Sequence, residues 1–187
     1  MQQFSDVTKN YLNCFYKILD DMIEGMTSAE PTDSISHNFI VQMIPHHRAA
    51  IEMSENLLRF TTCVPLQCIA QNIVSEQTKS IEDMQNVLRN CSQLENTQQE
   101  LCRYEKRMCA IEQTMFSDMR AACADNNINA DFMREMIPHH EGAIQMSKNA
   151  LRFNICAELD PILEAIITSQ ENGVRKMRNL LHSIGCR

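Results

Sequence analysis

"QMIPHHRAAIEMSENLLRF" runs from Gln42 to Phe60, and "EMIPHHEGAIQMSKNALRF" runs from Glu135 to Phe153. The same string occurs twice at an offset of 93, and each copy sets a proline beside paired histidines inside an apolar pattern of helical period. Proline in a helix interior removes one hydrogen bond and clashes with the preceding turn. Something at this point must compensate for it, twice, and the strings set the frame for the rest of the sequence.

At that offset the halves align without a gap from Phe39/Phe132 to Leu88/Leu181. Beyond the strings, Cys63, Leu66, Ile69, Ile73, Gln77, Met84 and Leu88 find Cys156, Leu159, Ile162, Ile166, Gln170, Met177 and Leu181. The N-terminal segments share the phase by pattern, with Phe15, Ile18, Met22 and Met26 falling on Met108, Ile111, Met115 and Met119. The expectation is a tandem duplication with boundaries 1–92 and 93–187, the two copies packing as one pseudo-dimer about an approximate twofold.

Each half reads as three helices. Phe4, Val7, Tyr11, Phe15, Ile18, Met22 and Met26 step by three or four, an amphipathic stripe. "SAEPTDS" interrupts it, and Asp33 or Ser34 can cap the next helix, which carries the first string to about Phe60. Pro65 suits the first turn of a third helix, with Leu66, Ile69, Ile73, Gln77, Ile81, Met84 and Leu88 inward. The second half repeats this over roughly 94–123, 127–154 and 158–184, with Pro161 near a helix start and Gly185 as a stop. No alternating strand pattern of useful length is visible. The fold class is all-α, with antiparallel neighbours joined by short connections.

Composition narrows the functions. A formal charge of -7 disfavours a nucleic-acid backbone as partner, since that needs a basic surface. No apolar run approaches the roughly 18 to 20 residues needed to cross a bilayer. The opening "MQQFSDVTKN" has neither a basic nor an apolar signal region, which favours a cytoplasmic location. The nine cysteines, odd in number, form no CxxC and no zinc-ribbon spacing, so mostly buried thiols in a reducing compartment are expected rather than a disulfide framework.

At about 100° per residue, Met43, His46, His47 and Met53 spread over one helix face with the small Ala50 among them, while Arg48, Glu52 and Glu55 point away. Met136, His139, His140 and Met146 do the same in the second copy. Met84 and Met177, on the inner stripe of the following helix, can lie alongside in an antiparallel pair. Imidazole nitrogen with thioether sulfur suits copper, above all Cu(I), and disfavours hard cations. Against this stands the ordinary reading, in which buried histidines satisfy the core and methionines fill it. His37 and His182 have no histidine counterparts and read as surface residues.

"MIPHHRAAIEMS" and "MIPHHEGAIQMS", each followed by a helix bearing Gln77…Met84 or Gln170…Met177, resemble the DUF305 family. The resemblance covers about 60 residues of each half. It implies a ferritin-like helical bundle and copper binding through Met43, His46, His47, Met53 and Met84, and through Met136, His139, His140, Met146 and Met177. It also implies an acidic residue before the motif-helix phenylalanine; Asp131 keeps it and Asn38 does not, so the second site is expected to be the tighter.

Three functions compete: a non-enzymatic copper-sequestering protein with the metal ion as its partner, a structural or interaction bundle capable of homo-oligomerising, and a ferritin-like di-iron enzyme. The last requires Glu-x-x-His pairs, which the sequence lacks. Binding through neutral imidazoles is expected to weaken as pH falls toward 5.

Overall fold

A computed structural model of the chain describes residues 4–185, with side chains through Ser183. Six helices follow in order: α1 (Asp6–Thr27), α2 (Ile35–Leu58), α3 (Val64–Cys91), α4 (Gln98–Arg120), α5 (Ile128–Ala150) and α6 (Asp160–Gly185). No strand occurs among the described residues. The fold is all-α.

Local chemistry sets the helix starts. The side chains of Ser5, Ser34, Thr97 and Asn127 each accept the backbone N–H three residues on, and Thr97 with Glu100 completes a reciprocal capping box. Pro65 falls in the first turn of α3, where its missing N–H leaves no intrahelical bond unmade. Gly185 is the last residue of α6 rather than a stop beyond it.

Helices α2, α3, α5 and α6 form a closed ring of four, packing α2 on α3, α3 on α6, α6 on α5 and α5 on α2. α1 lies against α2, and α4 against α5. Several contacts recur at the offset of 93. Asn56 Nδ2 donates to the Tyr11 carbonyl at 3.1 Å, and Asn149 Nδ2 to that of Tyr104 at 3.2 Å. Tyr11 meets Phe60 edge-on as Tyr104 meets Phe153.

Two expectations are corrected. Val7 is 54% exposed, and Thr8 turns inward instead, its hydroxyl bonded to that of the capping Ser5. The stripe therefore begins effectively at Tyr11. The cysteines are not mostly buried thiols: Cys91 and Cys156 form a disulfide between the last residue of α3 and the loop before α6. Among the described free cysteines, Cys68, Cys102, Cys109 and Cys123 are exposed and Cys14 and Cys63 half-buried. Cys186 lies outside the described residues. A polar knot surrounds the disulfide, because Ser34 Oγ donates to the Cys91 carbonyl and Ser36 Oγ accepts from the Cys156 N–H. Asn96 joins it, accepting from the Ile35 N–H and donating to the Asn154 carbonyl.

Candidate metal centre

α2 and α5 run as continuous helices through Pro45 and Pro138. The flanking helices approach them closely. A Cβ at Gly25 of α1 would stand 2.9 Å from the Pro45 Cβ, so only glycine lets α1 pass the pyrrolidine ring this closely. Beyond Pro138, Gly142 leaves room for the Met115 side chain of α4, whose sulfur would lie 2.1 Å from an added Cβ.

Every sequence-predicted ligand is buried. Met43, His46, His47, Met53 and Met84, like Met136, His139, His140, Met146 and Met177, all have 2% exposure or less. Arg48, Glu52, Glu55, Gln145 and Lys148 point outward as the helical pitch requires, so the motif helices present their histidines and methionines to the interior.

His46 and His139 meet where α2 crosses α5, with ring centroids 3.7 Å apart and planes 30° from parallel. His46 Nε2 lies 3.2 Å from the His139 carbonyl, and His139 Nε2 lies 3.1 Å from the His46 carbonyl. A carbonyl oxygen only accepts, so each Nε2 carries the proton and each Nδ1 keeps a bare lone pair. His47 Nε2 pairs with Ser80 Oγ of α3 at 3.1 Å. Its counterpart His140 faces Gly173 of α6, where an added Cβ would come within 2.7 Å of the ring and 4.0 Å of the Met177 methyl. His140 and Met177 thus converge on one spot.

The Nδ1 atoms of His46, His47 and His139 are buried without a hydrogen-bond partner, whereas the His140 ring also engages the Met136 backbone. Burial holds all four imidazoles neutral: His47 is lowered to about 3 and His139 to about 4, and His46 and His140 fall well below 6.5, pushed further by neighbouring histidines. Neutral imidazoles, two of them with a free Nδ1, sharing the interior with buried methionines, are donor types that copper prefers. Residues of this kind fit the metal. Among the described residues no three histidines bring ring nitrogens within 4.8 Å of one another, so any one ion finds at most two imidazoles at close range. Burial thus opposes the protonation through which binding is expected to weaken toward pH 5.

The expected role of Asp131 also changes. Its Oδ1 accepts from the Asp125 N–H at 2.9 Å, and Asn38 Oδ1 accepts from the Thr32 N–H at 2.8 Å, six residues upstream in both cases. Both side chains clip the loop before their helix. The difference between them therefore gives no reason for the second ligand set to bind more tightly. His37 is half-buried, with its Nδ1 2.9 Å from Ser92 Oγ, and is not a plain surface residue.

Residues not singled out as participants also belong to this interior. Gln77 and Gln170 are buried with amide atoms lacking partners. Ser80 and Gly173 decide what each outer histidine touches, and their signal in the sequence is a mismatch within an otherwise matched stretch. A cleft of about 830 Å³ runs outside the second motif helix past Pro138 and Gly142, but no motif histidine lines it.

A family model described as "Domain of unknown function (DUF305)" matches residues 36–181. The chain belongs to the DUF305 family. None of the curated proteins compared with it is similar to it. Among solved structures it resembles CopM in an Ag-bound form, with 25% identity and a TM-score of 0.61 over 81% of this chain and 98% of that one. CopM in the Cu(II)-bound form is similar at 26% identity, with a TM-score of 0.61 over 79% and 96% of the two chains. A DUF305 fragment from Deinococcus radiodurans shares the fold at 20% identity, with a TM-score of 0.60 over 82% and 99%.

Proposed function

We propose that this DUF305 chain sequesters copper as Cu(I), without catalysis, in two sets of side chains. One is Met43, His46, His47, Met53 and Met84; the other is Met136, His139, His140, Met146 and Met177. The observation that carries the reading is the buried Nδ1 lone pairs of His46 and His139, left without hydrogen-bond partners. A buried polar atom without a partner is costly and calls for a reason. A soft metal ion accepting the lone pair supplies one. The solved CopM structures with Ag and Cu(II) add support, since Ag(I) has the same taste for thioether and imidazole. The recurrence of contacts at an offset of 93 supports the further reading that 1–92 and 93–187 are two copies packed about an approximate twofold.

At His46 and His139 a bound ion would be held through Nδ1, because there the Nε2–H is already engaged across the α2–α5 crossing. That bond to a carbonyl fixes ring orientation and tautomer, the usual work of a ligand's outer partner. Competition between Cu(I) and Zn²⁺ tests the donor set: about two Cu(I) per chain are expected to be retained against excess zinc. Displacement of Cu(I) by zinc would rule out thioether ligation.

A second reading has its own support. The reciprocal His46–His139 bonds join α2 to α5, so this pair also serves as a structural clasp. A purely structural bundle would bind no stoichiometric copper at these residues.

A further inference from the structure

The clearest departure from the internal likeness lies away from the motif interior, where the end of α1 and the following loop meet α2 and α4. A cleft of about 250 Å³ opens there. Tyr104, 1% exposed, and Glu112, 9% exposed, line it, and the Tyr104 hydroxyl and Glu112 Oε1 have no hydrogen-bond partner. Gln42 Oε1, also lining it, is buried and unpartnered as well. Three carboxylate residues, Glu30, Glu105 and Glu112, stand in its wall, and no lysine, arginine or histidine does. Unpaired acceptors in an acidic, partly enclosed recess call for a cation that donates several hydrogen bonds.

The counterpart region at the offset of 93 is closed by its own side chains. There Arg134 stands in the place of Val41, and its Nη1 donates to the Cys123 carbonyl at 3.1 Å, to Asp125 at 2.9 Å and to Asp131 at 3.2 Å. Tyr11, the counterpart of Tyr104, donates to Glu135 at 2.5 Å, and Glu135 is the counterpart of Gln42. Leu19 stands where Glu112 would be, so that side carries no extra carboxylate. In short, one side contains its own guanidinium and a closed tyrosine–carboxylate bond. The other has a valine, an added carboxylate and unpaired polar atoms.

We propose that this cleft binds a small molecule through a guanidinium head group, held by the three unpartnered acceptors. Glu112 receives the charge, and the Gln42 carbonyl and Tyr104 hydroxyl accept further N–H groups. A guanidinium presents five donors in a planar fork, which matches several acceptors at once better than a compact ammonium does. The volume lies below the usual range for drug-sized ligands, so the ligand is a head group with a short tail. This site shares no residue with the two proposed copper sets, and its failure would leave them untouched.

The test is calorimetric titration of the full chain with methylguanidine, with methylammonium as comparison. Expected are one saturable site, binding tighter for methylguanidine, and a loss of about tenfold or more in Glu112→Gln, which keeps the shape but removes the charge. Val41→Arg is expected to place a guanidinium in the cleft from within and abolish binding, whereas Val41→Leu retains it. Glu55→Gln, outside the cleft on the exposed face of α2, is the control and leaves affinity unchanged. The proposal is overturned if methylguanidine does not bind the wild type saturably, if Glu112→Gln binds equally well, or if methylammonium matches it. Should Val41→Arg fail to fold, Glu112→Gln alone decides. Displacement of methylguanidine by stoichiometric Cu(I) or Zn²⁺ in a Glu112-dependent manner would make this a metal site instead and also overturn it.

Discussion

At the scale of single residues, the two ring nitrogens of His46 have different duties. Nε2–H spans to the His139 carbonyl, and Nδ1 is left bare. A glutamine amide reaches roughly as far as Nε2 and donates, but offers nothing where Nδ1 stands. His46→Gln is therefore expected to stay within about 1 kcal/mol of wild-type stability, the worth of one neutral hydrogen bond, while losing affinity at the first copper set. Denaturant midpoints and Cu(I) affinity on the same protein check this. Equal copper affinity would show that Nδ1 is no ligand. The identity of the histidines and their inward direction were legible from helical pitch alone. Their tautomer was not, because it depends on a carbonyl from a residue 93 positions away.

At the scale of elements, helices were read correctly wherever an apolar stripe and a capping residue agreed. The reading failed where polar bonding overrode the stripe. Thr8 displaced Val7 because a hydroxyl pair with Ser5 satisfies it at the start of α1. Asp131 reads in sequence as an anion near a metal and in the fold as a loop clip, the same work Asn38 does without charge. The packing of α5 on α6 yields a prediction of its own. Gly173→Ala would set a methyl within 2.9 Å of the His140 Nε2, so the ring must move. Ser80, with its own Cβ, is tolerated opposite His47, so the cost is expected to be moderate, about 1–3 kcal/mol. Copper retention should fall at the second set only. Loss at both sets, or at neither with an unchanged unfolding midpoint, would contradict the placement of His140 against α6.

For the whole molecule, the Cys91–Cys156 bond joins residues 65 apart and links α3 to the segment leading into α6. It was hidden in the sequence because its members are not counterparts: Cys156 matches Cys63, and Cys91 matches Ile184. Closing a loop of that length restricts the unfolded chain by about 4 kcal/mol, so Cys91→Ser is expected to lower stability by an amount of that order. Unfolding of wild type with and without reductant, beside the variant, measures it.

Stability of the metal-free chain should also peak near pH 6 to 7. Burial depresses four histidines below 6.5, so the unfolded chain takes up protons first, and their contribution is lost as pH falls below 6.5. Burial raises Glu112 to about 7 and Glu135 to about 8, so the folded chain holds those protons longer, and stability declines as pH rises toward 8. Asp131, raised to about 6, partly offsets the histidines between 4.5 and 6. The fall should steepen below about 4.5, where the unfolded carboxylates become protonated too. Urea midpoints from pH 4 to 9 that rise steadily in either direction would contradict this balance.

The central claim is that the repeated histidine pairs are ligands and not only packing. The measurement that tests it most directly is bound Cu(I) per chain, taken with the unfolding midpoint, for His46→Ala/His47→Ala and His139→Ala/His140→Ala. The exposed thiols should first be alkylated so that they do not compete. The account predicts about two Cu(I) in the wild type and one in each double variant, with helical content close to wild type. Wild-type copper stoichiometry in both variants, with only the midpoint lowered, would contradict it and leave the histidines as a clasp between α2 and α5.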